Sequence, residues 1–302
     1  MGQNTKEIKK RINSVQNTRK ITRTMEMVST AKSKKAQDRV QASKPYNQKI
    51  KEIIGHLAQG NEGSLDNPLL KERDNGKPYW ALVIASNRGL CGAYNSNVLK
   101  LGRDLYRENI EQNREVHMEV VGKKAISFYR FNEVPITETH TDIDDKIAFE
   151  DFDSIPSRIL SKYLNNEIDK FFVVYTKYIS AARQVATVEQ LLPFSLADII
   201  ENESDSESAK ETEQGYVANY LYEPNAEQIL ESMLPYAFKM NLFQAFLEAF
   251  TSEHIYRRIA MKSATDAASD MIKDLTGSYN RARQSKITNE IAEIISGASA
   301  LE

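Results

Sequence analysis

Hydrophobic residues near the N-terminus recur at helical spacing. From residue 4 to about 59, apolar side chains follow one another mostly at steps of three and four, and glycine occurs only at Gly55. This spacing puts them on one face of an α-helix. A kink is expected near Pro45, because proline removes a backbone donor and crowds the preceding turn. The stripe comprises Ile8, Ile12, Val15, Ile21, Met25, Val28, Tyr46, Ile50, Ile53 and Leu57.

The C-terminal part of the chain has the same character. No proline follows Pro235, and about 70 residues of helix would reach on the order of 100 Å. Two long amphipathic helices most simply pair in an antiparallel coiled coil, in which each buries the stripe of its partner. The C-terminal stripe comprises Ile255, Ile259, Ala264, Ala268, Met271, Leu275, Tyr279, Ala282, Ile287, Ile291, Ile294 and Ala298.

Between the two helices the hydrophobic period changes to that of strands. Strands are predicted at 79–86, 117–122, 170–178, 184–193 and 215–224, and helices at 96–112, 123–131 and 156–165. Strands alternating with helices indicate a small, mostly parallel, Rossmann-like α/β domain inserted between the coiled-coil arms. The predicted domains are therefore 1–59, 60–224 and 225–302. The acidic, serine-rich segment 201–215 is predicted to be a mobile hairpin tip or loop, because it lacks bulky apolar residues, and a phosphoregulated switch is the alternative.

The composition narrows the class of protein. No run approaches the roughly 20 apolar residues that span a bilayer, and the N-terminus lacks the apolar core of a secretory signal. A single cysteine, Cys91, suits a reducing cytoplasm, and the four histidines show no metal-ligand spacing. The net charge of −2 hides an excess of ten positive charges in residues 1–58, which hold 14 Lys or Arg against 4 Asp or Glu. This segment is expected to face an acidic partner.

The motif SNRGLCGAYN at 86–95 lies between a predicted strand and a predicted helix, where an α/β protein could hold a phosphate. Neither G-x-G-x-x-G nor the P-loop pattern is met, and no histidine stands near Cys91 in sequence to activate it. A nucleotide-using enzyme on the α/β domain is therefore a hypothesis without support. We expect no catalytic site, no bound cofactor and no metal.

The basic first helix leaves a second hypothesis open, a coiled-coil scaffold that binds nucleic acid. Lysine and arginine would contact phosphates, and such binding would weaken steeply with salt. However, residues 1–45 contain no aromatic side chain on which a base could stack. An acidic protein partner would satisfy the same charges.

Both ends of the chain resemble the gamma subunits of bacterial F-type ATP synthases. The resemblance is strongest at TRTMEMVSTAKSKKAQDRVQASKPY (22–46) and ARQSKITNEIAEIISGAS (282–299), and SNRGLCG (86–92) and YLYEP (220–224) also match family segments. The second segment fits the family signature with Ile287, Thr288, Glu290, Glu293, Gly297, Ala298 and Ser299. Asn87 and Ala93 depart from the family, which commonly has Asp and Gly there, so position 87 lacks the carboxylate of the common family form.

The resemblance implies a central rotor shaft without a catalytic site of its own. Its partners would be the alpha and beta subunits of the catalytic hexamer, the epsilon subunit and the membrane c ring. It would transmit torque and couple ion transport to ATP synthesis or hydrolysis, as a peripheral protein at the cytoplasmic face of the plasma membrane. Specific binding of nucleic acid is not expected.

The resemblance also assigns contact residues. A catch loop of a catalytic subunit would meet Arg283, Gln284 and Thr288, with Met25 facing that contact, although seam packing explains Met25 equally well. Acidic lever segments of the catalytic subunits would meet the basic residues of the first helix and the loop after the first strand: Lys20, Arg23, Lys32, Lys34, Lys35, Arg39, Arg88 and Cys91. The epsilon subunit and c ring would meet Tyr220, Tyr222 and Glu223, of which the tyrosines also fit an edge strand.

Overall fold

The computed structural model describes residues 5–59, 67–195 and 225–299. Two long helices, α1 and α5, enclose a five-stranded sheet and three shorter helices in sequence. The elements are α1 (Thr5–Gln59), β1 (Tyr79–Ile84), α2 (Tyr94–Glu111), β2 (Val116–Val121), α3 (Lys123–Phe131), β3 (Glu138–His140), α4 (Ser154–Leu164), β4 (Lys170–Tyr178), β5 (Gln184–Leu192) and α5 (Ala226–Ser299).

The predicted fold class is confirmed. The strands lie in the order β3-β2-β1-β4-β5, in which the first four are parallel and β5 runs antiparallel to β4. An order of 3-2-1-4 with helical crossovers is that of a Rossmann-like sheet. The four predicted strands and three predicted helices within residues 67–195 are present. β3 was missed, and the predicted strand 215–224 and loop 201–215 lie outside the described residues.

Helices cover both faces of the sheet. On β1, Trp80, Leu82 and Ile84 contribute to a core shared with α1, α4 and α5. The alternate residues, Ala81 and Val83, contribute to a second core with α2 and α3. A strand alternates its side chains between the two faces, and both faces of β1 are buried, which explains its unbroken apolar run.

The chain divides into two compact units. The α/β unit comprises residues 32–256, and the terminal unit comprises Met1–Ala31 with Arg257–Glu302. In the α/β unit, Ser43 of α1 contacts Gln244 of α5, and Tyr46 of α1 contacts Tyr236 of α5. Residue numbers therefore rise along one helix as they fall along the other. The pairing is therefore antiparallel, as predicted. The three-domain division at 59/60 and 224/225 stays a prediction.

The seam of the terminal unit differs from the predicted one. Ile21 and Val28 are more than half exposed, whereas their neighbours Thr22 and Ser29 are buried. Thr265 Oγ1 donates a hydrogen bond to Thr22 Oγ1 across the seam at 2.9 Å. Small hydroxyl side chains allow a close approach of the two backbones, and this approach moves the larger apolar residues out of the interface. Two residues of the predicted C-terminal stripe are likewise exposed, Ile259 at 52% and Met271 at 45%.

Prolines do not end either long helix. Pro45 lies inside α1 and Pro235 inside α5. Pro45 is exposed, whereas the helix around it is fixed by buried neighbours, Asn47 and Ile50. Packing against the core therefore carries α1 through a position that disfavours helix locally.

Candidate partner-binding surfaces

The last turns of α5 expose polar and apolar side chains alike. The predicted catch residues Arg283, Gln284 and Thr288 are all exposed, and Thr288 Oγ1 donates a hydrogen bond to the Gln284 carbonyl at 3.0 Å. The apolar residues of this segment are also open to solvent: Ile287, Ile291, Ile294 and Ile295, with Ile294 71% exposed. Contiguous exposed apolar side chains mark a surface that another molecule covers. The three predicted catch residues thus lie on one exposed helical segment.

On α1, the residue predicted to face the catch and the basic residues predicted to face the lever segments differ in their exposure. Met25 is half-buried, as expected for a residue of the helix seam. Arg23 is exposed and forms an ion pair with Glu26 at 3.3 Å. Such a surface pair contributes only about 0–1 kcal/mol, so it would yield readily to a partner carboxylate. Three other predicted contact lysines are exposed: Lys20, Lys34 and Lys35.

Two of the predicted basic contact residues already have acidic or carbonyl partners within the α/β unit. Lys32 Nζ lies 2.8 Å from Asp145 Oδ2, and Arg39 donates to the carbonyl oxygens of Asp145 and Ile147. His254 Nε2 of α5 lies 3.0 Å from the same carboxylate. The bond with His254 and the bond with Lys32 hold the pKa of Asp145 well below its ordinary value, despite partial burial. The loop after β3 thus engages side chains of both long helices.

The loop after β1 is held by hydrogen bonds among its own side chains. Asn95 Nδ2 donates to Cys91 Sγ at 3.0 Å, and Ser86 Oγ donates to the Arg88 carbonyl at 2.6 Å. Cys91 is buried, so its side chain shapes the loop, whereas Arg88 is exposed. The tip of the loop is Leu90, which has a positive φ of 62° and is 63% exposed. The predicted contact residues of this loop do not include Leu90, although the flanking Gly89 and Gly92 indicate a turn there.

The third predicted contact region cannot be placed. Tyr220, Tyr222 and Glu223, assigned by resemblance to the epsilon subunit and the c ring, lie outside the described residues.

A buried ionic cluster on the sheet was not anticipated from the sequence. Glu119 of β2 is fully buried, and its carboxylate accepts from Trp80 Nε1 at 2.6 Å and lies 2.5 Å from both His140 Nε2 and an Arg158 nitrogen. Burial opposes ionisation of Glu119, yet its partners outweigh burial and lower its pKa. Glu138 pairs with Arg158 at 2.8 Å. Two carboxylates and a histidine could ligate a metal, but the guanidinium already supplies the positive charge there.

The fold and its surfaces define a class: a pair of long antiparallel helices, exposed at one end, with a Rossmann-like domain inserted between them. Within the described residues, no helix carries an apolar stretch long enough to cross a membrane. Comparison with known proteins gives this class a family. The ATP synthase family profile matches residues 4–301.

Curated relatives match along the whole chain. An ATP synthase gamma chain of Leptospira biflexa is 44% identical over 296 residues, covering 98% of both chains, and one of Rhodopirellula baltica is 42% identical, covering 99% of both. The fold is that of a chain in the Euglena gracilis mitochondrial ATP synthase, OSCP/F1/c-ring, with a TM-score of 0.62 at 18% identity, covering 98% of this chain and 94% of that chain. This chain belongs to the ATP synthase gamma chain family.

Proposed function

We propose that the chain is the central rotor stalk of a bacterial F-type ATP synthase. It transmits torque between the membrane c ring and the catalytic hexamer, and so couples ion transport to ATP synthesis or hydrolysis. The observation that carries this proposal is the 44% identity to an ATP synthase gamma chain over nearly the full length of both proteins. A similar fold is found in a Tetrahymena thermophila structure described as central stalk and c ring, at a TM-score of 0.58.

The mechanism follows from asymmetry. One rod inside a ring of three catalytic subunits touches each of them differently. A partner shifts a conformational equilibrium only by its difference in contact energy between the two states, so each subunit is biased toward a different state. Rotation of the rod moves these biases around the ring.

The exposed segment of α5 supports this use of the terminal helices. Arg283, Gln284 and Thr288 provide donors and acceptors for a carboxylate or backbone of a catalytic subunit. The neighbouring isoleucines add apolar area that a surrounding ring would bury. Arg88 and Leu90 on the loop after β1 offer a second exposed contact. Contacts of Tyr220, Tyr222 and Glu223 with epsilon and the c ring remain part of the proposal.

The chain is further proposed to have no catalytic site of its own and to act at the cytoplasmic face of the plasma membrane as a peripheral subunit. The polar side chains of the loop after β1 support the first point. The loop uses its own polar side chains internally: Ser86, Asn95 and Cys91 form hydrogen bonds with one another and with the loop backbone. In a phosphate-binding loop, by contrast, donor groups point at the phosphate.

Assembly tests the proposal directly. The chain, expressed with the alpha and beta subunits of its own organism, should co-purify with a nucleotide-hydrolysing hexamer. A bead attached to the α/β unit should rotate in one direction during ATP hydrolysis. A hexamer that hydrolyses ATP without binding the chain, or a chain that stays fixed, would refute the proposal.

The scaffold alternative predicts a different result. The purified chain would bind duplex DNA with sequence or structure preference and a steep dependence on salt. The rotor proposal predicts weak, non-specific binding of DNA, which competitor DNA of any sequence abolishes.

A further inference from the structure

Strand β4 extends beyond the last residue of its neighbour β1. Helix α5 contacts the part of β4 that β1 does not pair with. Val174 is the last residue of β4 that pairs with β1, whereas β4 itself runs to Tyr178. Ser252 Oγ donates a hydrogen bond to the Thr176 carbonyl at 3.1 Å. Glu248 Oε2 accepts one from the Tyr178 amide at 3.1 Å. Side chains of α5 thus bond the strand backbone that β1 no longer covers.

The two helical residues are four positions apart, so they lie on the same face of α5. Ser252 is fully buried and Glu248 is 9% exposed. A carboxylate is an unusual choice among the buried residues Phe246, Leu247 and Phe250. Burial raises the pKa of Glu248 in spite of its hydrogen bonds.

Glu248 is also connected to the other long helix, α1, by hydrogen bonds. Gln244 Nε2 donates to Glu248 Oε1 at 3.0 Å, and Gln244 Oε1 accepts from Ser43 Oγ of α1 at 2.6 Å and from Asn47 Nδ2 at 3.3 Å. One continuous hydrogen-bonded chain therefore runs from α1 through α5 to the end of β4. We call this chain of Ser43, Asn47, Gln244, Glu248 and Tyr178 the polar relay.

Stability alone does not explain the relay. Well-packed apolar residues often replace buried polar groups at no cost in stability or with a gain. Apolar contacts are non-directional, however, and permit a helix to turn or slide by small amounts against a sheet. A hydrogen bond fixes direction, and satisfied buried networks select one arrangement.

We propose that Glu248 is a positioning residue, which locks the rotational setting of α5 and α1 against the sheet so that torque passes between them without slip. This inference rests on the proposed rotor function. The relay lies where the helices meet the sheet, and any torque exchanged between the sheet and the helix pair crosses this joint. A loose joint would let the helices slip against the sheet, and the work done in the slip would be lost as heat.

Glu248→Leu separates this role from simple stabilisation. Leucine preserves the packing but accepts no hydrogen bond. In the full-length chain, the thermal midpoint should change little, because removal of the buried carboxylate offsets the two lost hydrogen bonds, while the Tyr178 amide should exchange its hydrogen about 5- to 30-fold faster. In the complete enzyme in vesicles, the ratio of ATP-driven membrane potential formation to ATP hydrolysis should fall below that of the wild-type enzyme.

Two further variants complete the test. Glu248→Gln keeps one acceptor for the Tyr178 amide and should restore part of the pumping ratio. Glu231→Leu makes the same change at an exposed position of α5 and should leave both readouts unchanged.

The outcomes distinguish the inference from the proposed function. A Glu248→Leu enzyme with wild-type pumping ratio and wild-type Tyr178 exchange overturns the inference. A parallel loss of thermal midpoint and hydrolysis overturns it also, because it shows a structural role only. A wild-type enzyme that hydrolyses ATP without pumping overturns the proposed function, while the exchange of Tyr178 still decides whether Glu248 holds the joint.

Discussion

The buried cluster around Glu119 gives the sharpest test of the forces in the sheet. Arg158→Met removes the guanidinium that lies against the Glu119 and Glu138 carboxylates. Methionine retains most of the apolar volume of the side chain. The fully buried carboxylate of Glu119 then keeps Trp80 and His140 as its partners.

The magnitude follows from burial. Removal of one partner from a buried ion pair costs about 3–5 kcal/mol, because the other charge is left uncompensated. Arg158 is 27% exposed, and Glu119 retains two partners, so we expect the lower end, about 3 kcal/mol. For a unit the size of residues 32–256 this corresponds to a fall in Tm of about 6–12 °C.

A double variant identifies the cause. Glu119→Gln combined with Arg158→Met removes both charges, yet glutamine still accepts from Trp80 and still bonds His140. It should recover about 2 kcal/mol of the loss. Unfolding is followed by far-ultraviolet circular dichroism and by the fluorescence of Trp80, the single tryptophan of the chain. Exposed Arg183→Met is the control. Strictly additive effects of the two substitutions would refute the electrostatic explanation.

Three further predictions concern other regions. Gly122→Ala should destabilise by about 2–3 kcal/mol in urea unfolding, because φ is +93° and a Cβ would meet the Ala85 carbonyl, whereas Gly277→Ala in open helix should stabilise by about 0.5–1 kcal/mol. Because the pKa of Asp145 is lowered in the folded chain, the stability that this carboxylate contributes is fully present above its unfolded pKa of about 4 and is lost as pH falls below it. Asp145→Asn should therefore flatten the acid limb of a plot of Tm against pH. Gln284→Leu with Thr288→Val should preserve the Tm of the chain but lower the ATPase rate of the assembled complex, and an unchanged rate would remove both from the catch.

The elements that the sequence predicts well are those with a strong local signal. β4 was predicted at 170–178 and is found at the same residues, because its apolar run is buried on both faces. α3 was predicted at 123–131 and is likewise found there. The long helices were recognised by their period over many turns, a signal that one misplaced residue does not destroy.

Features that depend on the partner of an element were missed. β3 has only three residues, Glu138–His140, with no apolar run, and it exists because it pairs with β2. The seam of the terminal unit uses Thr22 and Ser29 instead of their larger neighbours, since backbone proximity favours small side chains. Glu119 and Arg158 are 39 positions apart, so no local pattern joins them. The partner-binding residues are assigned from the sequence resemblance alone, so these assignments stay predictions.

The polar contacts between the sheet and the long helices share a geometric property that bears on torque. Among the described residues they form at two separate places, the loop after β3 and the end of β4. At the first, Arg39 of α1 donates to the carbonyls of Asp145 and Ile147, and at the second, Glu248 of α5 accepts from the Tyr178 amide. A single attachment fixes a point but leaves rotation about that point free. Two directional attachments, of which the first holds both helices and the second holds α5, oppose rotation of the helix pair against the sheet, which apolar packing around them resists only weakly.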